Sequence, residues 1–233
     1  MRKGGDKSIY VLSIANEMSR IGVLASGHGT DLQSLIDASR EKKINCEIAV
    51  VISDRKDAYA LKRAQKEEIP AIYTGSVSRR DKTIHQVMVD YDVDLVVGAG
   101  YMCIISPWFV KKWYGKLINI HPALLPSFKG IDGQGDALRY GVKITGCTTH
   151  FMDEKPDHGP IILQAALTVA PDDNREKLAN RILEAEHQIL PRTVDLFSQK
   201  RLVIQGRQVL ILSGDSWKEK YPTLPHVLYS EGY

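Results

Sequence analysis

Short aliphatic runs alternate with amphipathic stretches through the first half of the chain. Ile21-Gly-Val-Leu-Ala25 reads as a buried strand, and Leu32, Leu35 and Ile36 follow at the i, i+3, i+4 spacing of a helix face. Residues 47–52, 71–73, 94–98 and 116–120 continue the series of strands, with helices predicted over 58–66 and 82–91. These runs are continuous rather than alternating in hydrophobicity, and helical stretches separate most of them. That combination predicts a parallel sheet covered on both faces. The expected fold class is α/β: a doubly wound, mostly parallel, Rossmann-like sheet whose ligands bind beyond the carboxyl ends of its strands.

From position 142 the texture changes. Residues 142–152 and 160–169 are long and rich in Thr, Ile and Val, which predicts two strands paired as a hairpin-like extension. A long helix is expected over 174–199, and a small hairpin over 202–212 with Gly206-Arg207 at its turn. The tail from Trp217 contains Pro222 and Pro225 with little periodicity, and is expected to be irregular. The expected organisation is an extension over 1–17, one domain over 18–212 with halves meeting near 118, and a tail over 213–233.

Composition narrows the classes of function. At 233 residues, with 43% hydrophobic and 25% charged positions, the chain suits one globular α/β domain. A net charge of +3 is too small to argue for nucleic acid, and the densest basic pairs, Lys111-Lys112 and Arg79-Arg80, read as solvated surface. Cys46, Cys103 and Cys147 lack CxxC spacing, so neither a disulfide framework nor a metal site is expected, and a reducing cytoplasm is. No apolar run approaches the roughly 20 residues that span a bilayer. The apolar stretch 9–15 is broken by Asn16 and Glu17 and is not read as a signal peptide. Small-molecule substrates are the expected partners, with monomer and homodimer both open.

Three motifs carry chemistry. Ser26-Gly27-His28-Gly29-Thr30-Asp31-Leu32-Gln33 follows the first strand, where glycines permit a sharp turn and helix amides can hold an anion. Thr30 and Gln33 also match a capping box, which requires no ligand. The dinucleotide pattern GxGxxG fails because Leu32 stands at its last glycine, although Asp54 after the second strand is placed like a ribose-binding acid. In Asn119-Ile120-His121-Pro122, strand alternation sets Asn119 and His121 on one face at a strand end. An amide and an imidazole there suit a reaction that develops negative charge on a carbonyl oxygen. The third motif, Asp153-Glu154-Lys155-Pro156-Asp157-His158-Gly159-Pro160, is an acidic loop that can bring a carboxylate to His121, or simply be solvated. Gly100 to Pro107 is apolar and fits either the wall of a flat heterocycle's pocket or core packing before a helix.

Together these segments resemble the phosphoribosylglycinamide formyltransferases, the folate-dependent enzymes of purine synthesis. The resemblance runs from about Ile21 to Leu212 and is strongest in Asn119-Ile-His-Pro-Ala-Leu-Leu-Pro-Ser-Phe-Lys-Gly130, Thr145-Gly-Cys-Thr-Thr-His150-Phe and Asp153-Glu-Lys-Pro-Asp157-His-Gly-Pro-Ile-Ile-Leu-Gln164. It implies direct attack of the substrate amine on the formyl carbon of the co-substrate 10-formyltetrahydrofolate. Asn119, His121 and Asp157 would be the catalytic trio. Gly29, Thr30 and Asp31 match the phosphate turn, Glu186 the acid on the ribose, and Met102 a substrate contact. Cys103, Ile104 and Ile105, with Met152, Asp153, Glu154, Asp157 and Asn119, match the folate pocket.

Some positions depart from that family. Asp31 stands where Asn is usual, Cys103 where Arg is expected, and residues 131–137 lack the usual histidine-rich pattern. The region 75–81 is short, leaving Arg79 and Arg80 as alternatives for a folate-tail contact. Formyl transfer to another amine, such as a nucleotide-linked amino sugar, and a non-catalytic folate- or nucleotide-binding paralogue are the alternative readings.

Overall fold

The computed structural model describes residues 18–75, 80–214 and 222–233. The expected extension over 1–17, Arg79 and Trp217 therefore lie outside the described residues. Strand β1 (Ser19–Leu24) runs up the middle of an eight-stranded sheet and pairs in parallel with β2 (Cys46–Ser53) on one side and β4 (Leu95–Gly98) on the other. Beyond β2 lies β3 (Ala71–Tyr73), and beyond β4 lies β5 (Leu117–His121), both parallel. The chain winds outward to β3, then returns across β1 to start β4. That reversal leaves a crevice at the carboxyl ends of β1 and β4.

Both faces of the sheet are covered. On β1, Ile21, Val23 and Ala25 belong to one buried cluster and Leu24 to the other, as period-2 alternation requires. The first face packs on α1 (Thr30–Arg40), α2 (Tyr59–Lys66) and α6 (Arg175–Ser198). The second face packs on α3 (Arg80–Asp90) and α4 (Pro107–Lys112), whose start is capped by the Ser106 hydroxyl accepting from Phe109 N–H. Full burial of Leu32 and Leu35 on α1 contributes roughly 1.5–3 kcal/mol each. Gly22 is part of this packing, because a Cβ there would lie 2.1 Å from Met88 Sδ.

After α5 (Gly133–Tyr140) the long Thr-rich strands pair as their texture predicts. β6 (Ile144–Phe151) and β7 (Ile161–Thr168) form an antiparallel pair, and β6 joins the sheet antiparallel to β5. The long helix and the terminal hairpin, β8 (Leu202–Gln205) with β9 (Gln208–Ile211), occupy their expected positions.

The end of the tail departs from expectation. Instead of remaining irregular, it forms β10 (Val227–Tyr229), an antiparallel edge strand on β7. Three residues are too few to show a period, and side chains on α6 supply the missing signal. Tyr229 and Tyr233 stack with ring centroids 3.9 Å apart, and both hydroxyls donate to Gln188 Oε1. Buried Arg192 donates to the Gly232 carbonyl at 3.0 Å and pairs with buried Asp195 at 3.0 Å. Removing one member of a buried pair leaves an uncompensated charge. Arg192→Met is expected to lower stability by about 3–5 kcal/mol in urea unfolding; an unchanged midpoint would mean that the pair does not anchor the tail.

Candidate active site

The site is built where the sheet reverses. At the end of β1 the chain turns through Gly27 to Gly29. Gly29 has φ +69°, and a Cβ there would lie 2.8 Å from the Ala60 Cα, so both conformation and space call for glycine. It is the N-cap of α1 and brings no side-chain cap, which leaves first-turn amides open. The capping box suggested by Thr30 and Gln33 does not form. Thr30 is already helical, and the Gln33 side chain bonds Asp37 at 2.9 Å and Arg63 at 3.0 Å instead.

Asn119 and His121 end β5. Asn119 sits between Gly98 of β4 and His150 of β6, its two register partners. The absent side chain of Gly98 makes room for it, since a Cβ there would fall 2.6 Å from Asn119 Oδ1. His150 is buried, and burial holds its imidazole below its ordinary pKa. Its Nδ1 donates to the Phe151 carbonyl at 2.9 Å, which leaves Nε2 to accept from the Asn119 amide at 3.4 Å. The amide is thereby oriented with its NH2 group toward the cleft wall.

His121 is 3% exposed. Its Nε2 lies 2.8 Å from the Phe128 carbonyl and must donate to it, so Nδ1 is the atom left to exchange a proton. Nδ1 faces Asp157 Oδ2 at 3.6 Å. Asp157 adopts φ +48° in the acidic loop and accepts from Gly130 N–H at 2.9 Å, with its other oxygen 3.8 Å from His150 Nε2. One carboxylate thus ties three separate segments to the imidazole. Asp153 in the same loop is held below its usual range: burial opposes the charge, but bonds from His158 and the Lys155 amide outweigh it.

These groups line a cleft of about 300 Å³. Asp31, Met102, Cys103, Ile104, Ile105, Asn119, His121, Met152, Asp153, Glu154, Asp157 and Glu186 all reach it. Gly29 does not line it, and Thr30 opens onto a separate depression beside Arg63 and His187. One end of the cleft is apolar, with Ile104 standing 80% exposed beside Ile105, Val110 and Met152. The other holds two carboxyls. Burial pushes Asp31 up to about 7, and burial plus the Asp31 charge drives Glu186 well above the usual carboxylate range. Asp54 is not available to a ribose: it accepts from Ser26 Oγ at 2.5 Å and Cys103 Sγ at 3.1 Å. Burial and that bond raise the Cys103 thiol above its ordinary pKa. Arg80 donates to the Ile104 carbonyl at 2.8 Å, supporting the apolar wall.

Sequence reasoning gave no role to His150 or Gly98. An inward His on a β-strand and a glycine closing a strand are common structural residues, and only the register that sets both against Asn119 distinguishes them. Among the described residues no group of three or more His, Cys, Asp or Glu side chains is arranged to hold a metal ion.

The doubly wound sheet gathers an amide, an imidazole and a carboxylate beyond the end of β5, and residues 19–194 match the formyl transferase family model. The chain belongs to that family. It is 40% identical over 190 residues to the phosphoribosylglycinamide formyltransferase of Haemophilus influenzae, covering 79% of this chain and 90% of that one. It is 42% identical over 190 residues to the human trifunctional purine biosynthetic protein adenosine-3, covering 79% of this chain but only 19% of that protein's length. The solved structure of glycinamide ribonucleotide transformylase 1 from Symbiobacterium toebii superposes with a TM-score of 0.82 at 46% identity, over 84% of this chain and 95% of that one.

Gly98→Ala is expected to displace the Asn119 amide while leaving the fold intact. Turnover of a formyl-transfer assay should fall about a hundredfold, the scale of losing one preorganised donor, with unchanged circular dichroism. Wild-type turnover in that variant would show that the amide position is not needed.

Proposed function

We propose that this protein transfers the formyl group of 10-formyltetrahydrofolate to the amine of glycinamide ribonucleotide, a step of purine biosynthesis. The observation that carries the reading is that Asn119, His121 and Asp157 line one cleft that also presents an apolar group of side chains and two buried carboxyls. The apolar end suits the flat pterin of the folate: Ile104, Ile105 and Met152 offer faces, and the polar loop from Asp153 to Asp157 offers hydrogen bonds. At the opposite end, the uncapped start of α1 suits a phosphate, with Gly29 permitting the close turn.

In this reading the substrate amine attacks the formyl carbon directly. The tetrahedral adduct collapses by breaking the bond from that carbon to the folate nitrogen, which leaves in tetrahydrofolate with the proton that the amine gives up. The Asn119 amide, oriented by His150, donates to the formyl oxygen as negative charge develops there. His121 moves a proton at Nδ1, and Asp157 positions the ring and balances its charge. Glu186 takes a ribose hydroxyl and Met102 borders the same substrate. The catalytic unit proposed spans residues 18–212, extended by β10, and a reducing cytoplasm is its proposed compartment. No helix among the described residues is long and apolar enough to cross a membrane.

The test is formyl loss from 10-formyltetrahydrofolate followed spectrophotometrically, with and without glycinamide ribonucleotide. Loss that requires the ribonucleotide supports the assignment, whereas loss to water alone, or none, rejects it. His121→Ala is expected to lower kcat at least a hundredfold, the general scale for an acid–base group. Near-normal turnover in that variant would remove His121 from the mechanism.

A further inference from the structure

Asp31 and Glu186 face the same end of the cleft from two packed helices, α1 and α6. Glu186 is 6% exposed, lines the cleft, and makes no hydrogen bond or ion pair with the described residues. Asp31 is 13% exposed at its side chain, and its buried Oδ1 has no hydrogen-bond partner. A buried carboxylate is normally compensated by a cation or by several donors. Among the described residues no lysine, arginine or side-chain donor reaches either carboxyl, and only the open first-turn amides of α1 offer Asp31 positive potential. The nearest basic group is His187, whose Nε2 lies 3.7 Å from Asp31 Oδ1, too far for a hydrogen bond. Burial also holds His187 below its ordinary pKa, which weakens it as a source of compensating charge.

The other neighbours do not compensate either. Cys147 of β6 is a fully buried thiol held protonated by burial and by the charges of Glu186 and Asp31. Arg63 of α2 is engaged by the His28 carbonyl at 2.8 Å and by Gln33 at 3.0 Å. Asp37, a turn and a half further along α1, adds negative charge beside His187. Two like charges without a cation are relieved by retaining protons.

We propose that Asp31 and Glu186, two buried carboxyls lining the same cleft, together admit the phosphorylated ribose only when their charge is suppressed, so that ribonucleotide binding tightens as pH falls through neutrality. The proposal rests on the ribonucleotide reading of the cleft and deepens it. The open amides of α1 favour an anion, but Asp31 lies in the first turn of the same helix, where an ionised carboxylate repels one. Protonated, the pair instead offers hydroxyl donors to phosphate or ribose oxygens. Asp31 is thereby a specificity-determining residue, and pH near neutrality is its control.

Linkage gives a readout independent of any ligand. A carboxyl whose folded pKa stands above its unfolded value binds its proton more tightly when folded. Its contribution to stability is present below the unfolded pKa of 3.8 and is lost as pH rises toward the folded value of about 7.

The experiment compares wild type with the near-isosteric Asp31→Asn, measuring unfolding midpoints and glycinamide ribonucleotide affinity by calorimetry from pH 5.5 to 8.5. Phosphate titration of the ligand is common to both proteins and cancels in their ratio. The wild type is expected to lose stability relative to Asp31→Asn as pH rises. Its Kd should weaken at least about fivefold relative to the variant across that range, the scale of one like charge met at about 4 Å when fully screened by water. Glu186→Gln, a second variant, should flatten the stability profile in the same direction. Parallel stability profiles, or a constant Kd ratio with ribonucleotide bound to both proteins, would overturn the proposal. A ribonucleotide bound by neither protein at any pH would reject the substrate assignment and the gating with it, while the stability profiles still decide whether the proton is retained.

Discussion

A parallel sheet that reverses its direction of winding cannot close over its own centre. Crossover helices leave β1 for one side and β4 for the other, so no connection covers the carboxyl ends between them. Every group of the proposed site depends on that gap. The first turn of α1 at Asp31, the end of β4 at Gly98 and the end of β5 at His121 open into it, and the acidic loop bends back to close one side. Had the winding continued in one direction, helices would pack over these ends, and the polar side chains there would have to be buried without partners.

Within the gap, rigidity comes from backbone-anchored contacts rather than from charge pairs alone. His121 is fixed through the Phe128 carbonyl, His150 through the Phe151 carbonyl, and Asp157 through the Gly130 amide. Two of these bonds end in the Phe128–Gly130 stretch after β5, so displacing that loop disturbs both His121 and Asp157. The antiparallel addition of β6 is what makes this possible, because it places His150 directly across from Asn119. The same strand carries Thr149, whose hydroxyl lies 2.7 Å from that of Thr193 on α6, joining the antiparallel part of the sheet to the helix that bears Glu186.

Two local rules fail at the substrate end. Helix α1 begins without a side-chain cap, and a carboxyl of its first turn is buried beside a second carboxyl. Both cost stability, and both are the kind of local conflict that folds retain at functional sites. An uncapped N-terminus leaves amides open, and in the proposed gating the carboxyl pair tunes when an anion is accepted there.

The sequence by itself determined the doubly wound class, the long helix, the β6–β7 pair and the terminal hairpin, because each rests on periodicity that survives in one dimension. Continuous aliphatic runs can only be strands buried on both faces, and alternation alone sets Asn119 and His121 on one side of β5. What tertiary structure decided is everything that depends on pairing between distant segments. Strand β10 pairs with β7, and α6 holds the chain end there, Gln188 receiving Tyr229 and Tyr233 and Arg192 the Gly232 carbonyl. Thr30 is helical rather than a cap because Gly29 turns left-handed against Ala60. Asp54, placed in sequence like a ribose acid, is consumed by Ser26 and Cys103, while Asp31, apparently a helix-start residue, faces Glu186 from a separate helix. Hydrophobic period records which face a residue takes. It holds no record of which side chain waits on the other side.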